Sequence, residues 1–123
     1  DVAGCGLDDL ELELQASTEA GVVGTSFPQG EPLVLTGTLS NPCESDVEFT
    51  TTSSCLLNEW ALIWEGGEGV ARGCDDAMTE WLIEGDGGVR LDVTPVGALD
   101  RGLWTWEAAF FSDTQATLQF EVL

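Results

Sequence analysis

The sequence predicts an all-β protein, an antiparallel β-sandwich of about eight or nine short strands that carries disulfides. Three observations predict it. Apolar and polar residues alternate in one short run after another, and the runs are separated by turns rich in Gly, Pro, Asn and Asp. No apolar period of the helical kind lasts longer than two turns, so helix is minor. The chain has 4 Cys and no His, its cysteines lie 38, 12 and 19 residues apart with no CxxC pair, and disulfides are a better reading of them than zinc.

Taken in order, Leu10, Leu12 and Leu14 alternate with Glu11, Glu13 and Gln15, as in a strand with one face in the core and one in water. Residues 1–26 read as this N-terminal strand plus a small-residue linker, Ala16 to Ser26, which would let the strand pair at home or be exchanged with a neighbouring subunit. Glu11 and Glu13 look like protection against edge pairing, which favours the strand staying at home. Phe27-Pro28-Gln29-Gly30 reads as a turn. Leu33, Leu35 and Leu39 then share one face of a strand that Asn41-Pro42 ends, and Val47, Phe49 and Thr51 mark the next.

The stretch from Cys55 to Cys74 reads as the hairpin that organises the rest. Trp60, Leu62 and Trp64 alternate with Ala61 and Ile63 in a strand apolar on both faces, residues 65–69 turn it, and Val70 to Arg72 return toward Cys74. Such a hairpin brings Cys55 and Cys74 within bridging distance. Cys5 and Cys43 are left as the second pair, because the start of the first strand should lie beside the end of the strand that closes at Asn41. A strand from Met78 to Ile83 ends at the Gly-rich turn 84–88, and Val89, Leu91 and Val93 resume the alternation until Pro95, which cannot donate to a central ladder. After a loop from Val96 to Gly102 comes the strongest pair. Trp104, Trp106, Ala108 and Phe110 line one face of its first strand, Ala116, Leu118, Phe120 and Val122 one face of its second, and the turn 112–115 joins them.

The 123 residues suit a single domain large enough to bury one core. The 23 acidic residues face only three basic ones, Arg72, Arg90 and Arg101, for a net charge of −20. Disorder is excluded by the 43% hydrophobic content and 5 Trp. So acidic a surface repels phosphate backbones and anionic lipid, and no nucleic acid is expected as a partner. It suits a protein kept soluble in high salt, where self-repulsion is screened, and equally a surface layer that holds divalent cations loosely. Disulfides place the chain in an oxidising compartment, extracellular or at the cell surface, and no apolar run is long enough to span a membrane. Val2-Ala-Gly-Cys5 is similar to a lipoprotein lipobox, which would lipidate Cys5, although Asp1 would interrupt its apolar segment.

Without His or Lys there is no Ser-His-Asp triad, no Cys-His dyad and no Schiff-base lysine, so the chain is expected not to be an enzyme and to need no cofactor. Carboxylate pairs carry no signal among so many acids. Asp75, Asp76, Glu84 and Asp86 are weak calcium candidates, since their loops lack the spaced ligands and closing Glu of an EF-hand. Of the five tryptophans, Trp81 between Glu80 and Leu82 is the one expected to be exposed, and so the candidate for stacking on a sugar.

At residues 99–106, Leu-Asp-Arg-Gly-Leu-Trp-Thr-Trp, the chain resembles the penultimate strand of bacterial immunoglobulin-like domains, with Trp104 where those domains usually carry Tyr. The layout from Leu33 to Val122 also resembles the BsuPI-type proteinase-inhibitor family, whose definition does not include the four cysteines. These resemblances imply an immunoglobulin-like sandwich more firmly than an inhibitory activity. The functional expectation is an exported structural or adhesive domain whose partners are other protein subunits, itself included as a homopolymer or filament. The alternatives are a secreted inhibitor that offers Arg101 in the 96–102 loop to a trypsin-like pocket, and a carbohydrate-binding module.

Overall fold

The computed structural model of the chain describes residues 6–110 and 114–123. After a 3-10 turn at Leu7–Asp9 come nine strands among the described residues: β1 (Glu11–Thr18), β2 (Ser26–Phe27), β3 (Pro32–Ser40), β4 (Val47–Thr51), β5 (Glu59–Trp64), β6 (Thr79–Ile83), β7 (Val89–Ala98), β8 (Gly102–Phe110) and β9 (Thr114–Val122). They form a three-stranded sheet, β1-β3-β7, a four-stranded sheet, β2-β9-β8-β5, and the separate pair β4-β6. Every pairing is antiparallel except that of β2 with β9, which is parallel.

Alternation becomes burial as two-residue periodicity requires. Leu33, Leu35 and Leu39 of β3 face inward, as do Val47 and Phe49 of β4. Trp104, Trp106, Ala108 and Phe110 of β8 join Phe120 and Val122 of β9, and both larger sheets contribute to one buried cluster. Aromatic contacts tie the strands together: Phe49 of β4 meets Phe110 of β8 edge-on at 4.9 Å between ring centroids, and within the four-stranded sheet Trp64 stacks on its cross-strand neighbour Trp104 at 5.7 Å. The stop at Asn41 is a fully buried hub. Its amide donates to the carbonyls of Ser45 and Ile83, and its Oδ1 accepts from the Cys43 amide, so one side chain pins the ends of three segments.

The structure departs from the sequence reading in five places. The stretch expected as a linker is paired: Ala16 to Thr18 are buried at the end of β1, Ser17 bridges Val23, and Phe27 packs edge-on against Phe120 at 6.0 Å. The strand before it is no departure: β1 pairs along its whole length with β3 of the same chain, the arrangement that Glu11 and Glu13 favour. The hairpin after Trp64 shrinks to one bridge between Leu62 and Val70, because beyond Val70 the chain leaves β5 and carries Arg72 to β7. β5 accordingly lies at a sheet edge, and its Ile63 is exposed rather than buried. The loop read as Val96–Gly102 is shorter, since β7 runs on to Ala98.

The fifth departure concerns β7. Val89, Leu91 and Val93 face solvent, while Asp92 is buried. The alternation is there, with its polarity reversed.

Candidate functional site

The reversal has a cause in the ladder. Asp92 pairs with Gly37 of β3, and the space that the missing Cβ leaves is filled by Leu57, whose Cδ1 lies where a side chain at Gly37 would stand. The carboxylate of Asp92 accepts from the Leu57 amide at 3.1 Å and forms an ion pair with Arg72. Arg72 also donates to the Leu57 carbonyl at 2.9 Å and to Thr94 Oγ1 at 3.3 Å, and its guanidinium lies 5.4 Å from the centre of the Trp60 ring. Both side chains of the pair are nine-tenths buried or more, a placement ions tolerate only when paired and hydrogen-bonded as here. The inward row of β7 is thus used to fasten the loop before β5 and the segment after it.

Cys55 and Cys74 lie in those two segments and are bridged, with a Cα–Cα distance of 5.8 Å. The disulfide expected from the sequence therefore exists, although not across a full hairpin. Cys43 is disulfide-bonded as well; Cys5, the partner expected for it and the residue of the lipobox reading, lies outside the described residues. An intact disulfide suggests a compartment other than the reducing cytoplasm. Among the described residues no helix is long and apolar enough to cross a membrane.

Beside this knot, a groove of about 320 Å³ runs along β7, with Cys55, Leu56, Arg72 and Trp81 across from Leu91 and Val93. Trp81 is half-buried rather than exposed. One ring face stacks on Phe49 at 6.5 Å and Nε1 donates to Thr51 Oγ1 at 2.9 Å, so the indole is fixed in the groove wall. The groove's charged groups, Arg72 and Asp92, are already engaged with each other.

The other residues singled out in the sequence lie apart. Asp75 and Asp76 are exposed on the segment before β6, whereas Glu84 and Asp86 sit in the turn after it. Among the described residues, no three acidic, Cys or His side chains come together as metal ligands do. Arg101 is exposed in the short corner between β7 and β8. There the Trp104 indole donates to the Asp100 carbonyl at 2.8 Å and the Trp64 indole to the Arg101 carbonyl at 3.2 Å. Gly102, at φ 136°, is required at this corner, because a side chain there would stand 2.9 Å from Trp64 Nε1.

Asp92, Leu57 and Gly37 were not legible as a unit. The one local signal was an acid inside the apolar alternation of β7.

No protein-family model matches the chain, and no curated protein matches it either.

Proposed function

We propose that the protein is an exported, non-enzymatic domain of immunoglobulin-like sandwich type that serves as a structural or adhesive subunit of an extracellular or cell-surface assembly. The observation that carries this reading is the edge strand β7, which exposes Val89, Leu91 and Val93 by 52%, 54% and 55%. A long edge strand with an apolar outer row is what natural sheets avoid unless something pairs with it. The immunoglobulin-like reading is supported by the order β1-β3-β7 against β2-β9-β8-β5 and by Trp104. Its indole reaches back four residues to the Asp100 carbonyl, as the corner tyrosine of such domains does with its hydroxyl.

The inhibitor reading has the pinned corner and the exposed Arg101 side chain in its favour. An inhibitory residue presents its carbonyl to the oxyanion hole of the protease, however, and the Arg101 carbonyl is held by Trp64. The sugar-binding reading rests on Trp81, one of whose faces is covered by Phe49. Assembly is the better supported of the three.

Sedimentation and negative-stain imaging of the native protein, at low and molar salt, test the reading. Species larger than the monomer are expected. Particles that stay monomeric in every condition, from the native source as well as purified, would overturn it.

A further inference from the structure

The exposed edge reads the same in both directions. In the run Val89-Arg90-Leu91-Asp92-Val93, apolar residues flank the centre symmetrically and the two charges are opposite in sign. Among the described residues, β7 pairs its backbone only with β3, and the strand borders the groove walled by Cys55, Leu56, Arg72 and Trp81.

We propose that this edge pairs with β7 of a second copy, antiparallel and about a twofold axis at Leu91. The proposal rests on the assembly reading above and names its partner and its geometry. In this register Val89 stands opposite Val93 of the second copy and Leu91 opposite Leu91, which joins apolar to apolar, while the exposed Arg90 stands opposite Asp92, whose carboxylate is already neutralised by Arg72 inside its own chain. Shifting the axis by one residue to Arg90 sets two exposed cations against each other, and shifting it either way breaks the match of Val89 with Val93 and of Leu91 with Leu91. Gly88 and Thr94 bound the paired stretch, since Pro95 has no amide to donate and the β3–β7 ladder slips at the Leu33/Val34 step beside it.

Charge also selects the partner. Two chains at −20 repel one another over their whole surfaces, and contact between them requires a place with little charge. The outer row of β7, with Thr36, Thr38 and Ser40 beside it on β3, carries no acid. One of the chain's three cations, Arg90, lies on the same strand. A twofold contact is closed, so it yields dimers and would need a second surface to build a filament.

The test is Leu91→Cys, at a half-exposed position where the change does not disturb the core. On mild oxidation, L91C is expected to form a covalent dimer that reduction dissolves, with a yield that rises from low to molar salt as repulsion is screened. Glu13→Cys, on the opposite edge of the same sheet, should remain monomeric. Peptide mapping of the oxidised L91C dimer should show the two introduced thiols joined to each other, with Cys55–Cys74 intact. Association of the wild type with no cross-link formed by L91C overturns the twofold pairing and leaves the assembly reading standing. Cross-linking of the Glu13→Cys variant in preference to L91C overturns it too, and moves the contact to β1. A wild type that stays monomeric at molar salt, together with an L91C variant that forms no cross-link there, overturns it outright, while native material seen in larger particles would still support assembly through another surface.

Discussion

β1 and β7 are the two edges of one three-stranded sheet and they are built with opposite polarity. On β1, Leu12, Leu14 and Ala16 turn toward the core while Glu11, Glu13 and Gln15 face out. On β7, Asp92 and Thr94 turn inward to hold Arg72 and Leu57, while Val89, Leu91 and Val93 face out. The central strand β3 shows the same inner face to both. Alternation therefore tells which residues share a face of a strand, and the neighbours it meets in the fold decide which face is the inner one. A second lesson concerns edges: Glu11 and Glu13 guard one side of the sheet against pairing, and no comparable charge guards the outer row of the other.

The comparison is broken most severely at Asp92. Asp92→Ala leaves Arg72 charged and buried without its partner and the Leu57 amide without an acceptor, so a loss of about 3–5 kcal/mol is expected. Urea unfolding measures it, and a loss below about 1 kcal/mol would mean that the inward polar row of β7 is not what holds the sheet edge in place. Removing the neighbouring bridge with Cys55→Ser and Cys74→Ser together should cost about 3 kcal/mol, as expected for closing a loop of this size. A double variant as stable as the wild type would show that the Arg72 knot alone suffices to fix both segments.

The matching cut on β1 is milder. Leu14 is half-buried, and Leu14→Ala should cost about 1–2 kcal/mol by lost apolar burial, less than the cut at Asp92. A larger loss at Leu14 than at Asp92 would reverse the ranking of the two edges. The outer rows should matter least to the monomer: Glu13→Leu and Leu91→Glu are each expected to change its stability by no more than about 0.5 kcal/mol. Their effects on association should nevertheless have opposite signs, the first creating a sticky edge and the second abolishing one, as light scattering at molar salt would show.

Much of the fold could be read directly from the chain. The inward row Leu33, Leu35 and Leu39 and the aromatic pair β8 and β9 follow from alternation over eight or more residues, where a single parity is overdetermined. Cys55–Cys74 was legible because the turn between them is rich in glycine. The return strand was not, because Val70 to Arg72 is too short to set its own register and Arg72 finds a better partner in Asp92 than β5 offers. The polarity of β7 was hidden for a related reason: the inward acid is satisfied by Leu57 and Arg72, which are 35 and 20 residues away in sequence. Ala16 to Ser26 looked like a linker because small residues carry little apolar signal, yet Ala16 fits under the sheet on account of its size.

The stack of Trp64 on Trp104 has a consequence in optics. The two indoles lie with 17° between their planes and 5.7 Å between their centres, close enough for their transitions to couple, and such a pair gives a circular-dichroism couplet, its sign and size set by the in-plane angle between the two rings, that neither ring gives alone. Both rings also hold the corner through their N–H groups, on the Arg101 and Asp100 carbonyls. The couplet is thus a built-in gauge of that corner, readable without a label, and its loss ahead of the global unfolding signal would time the opening of the corner against that of the core.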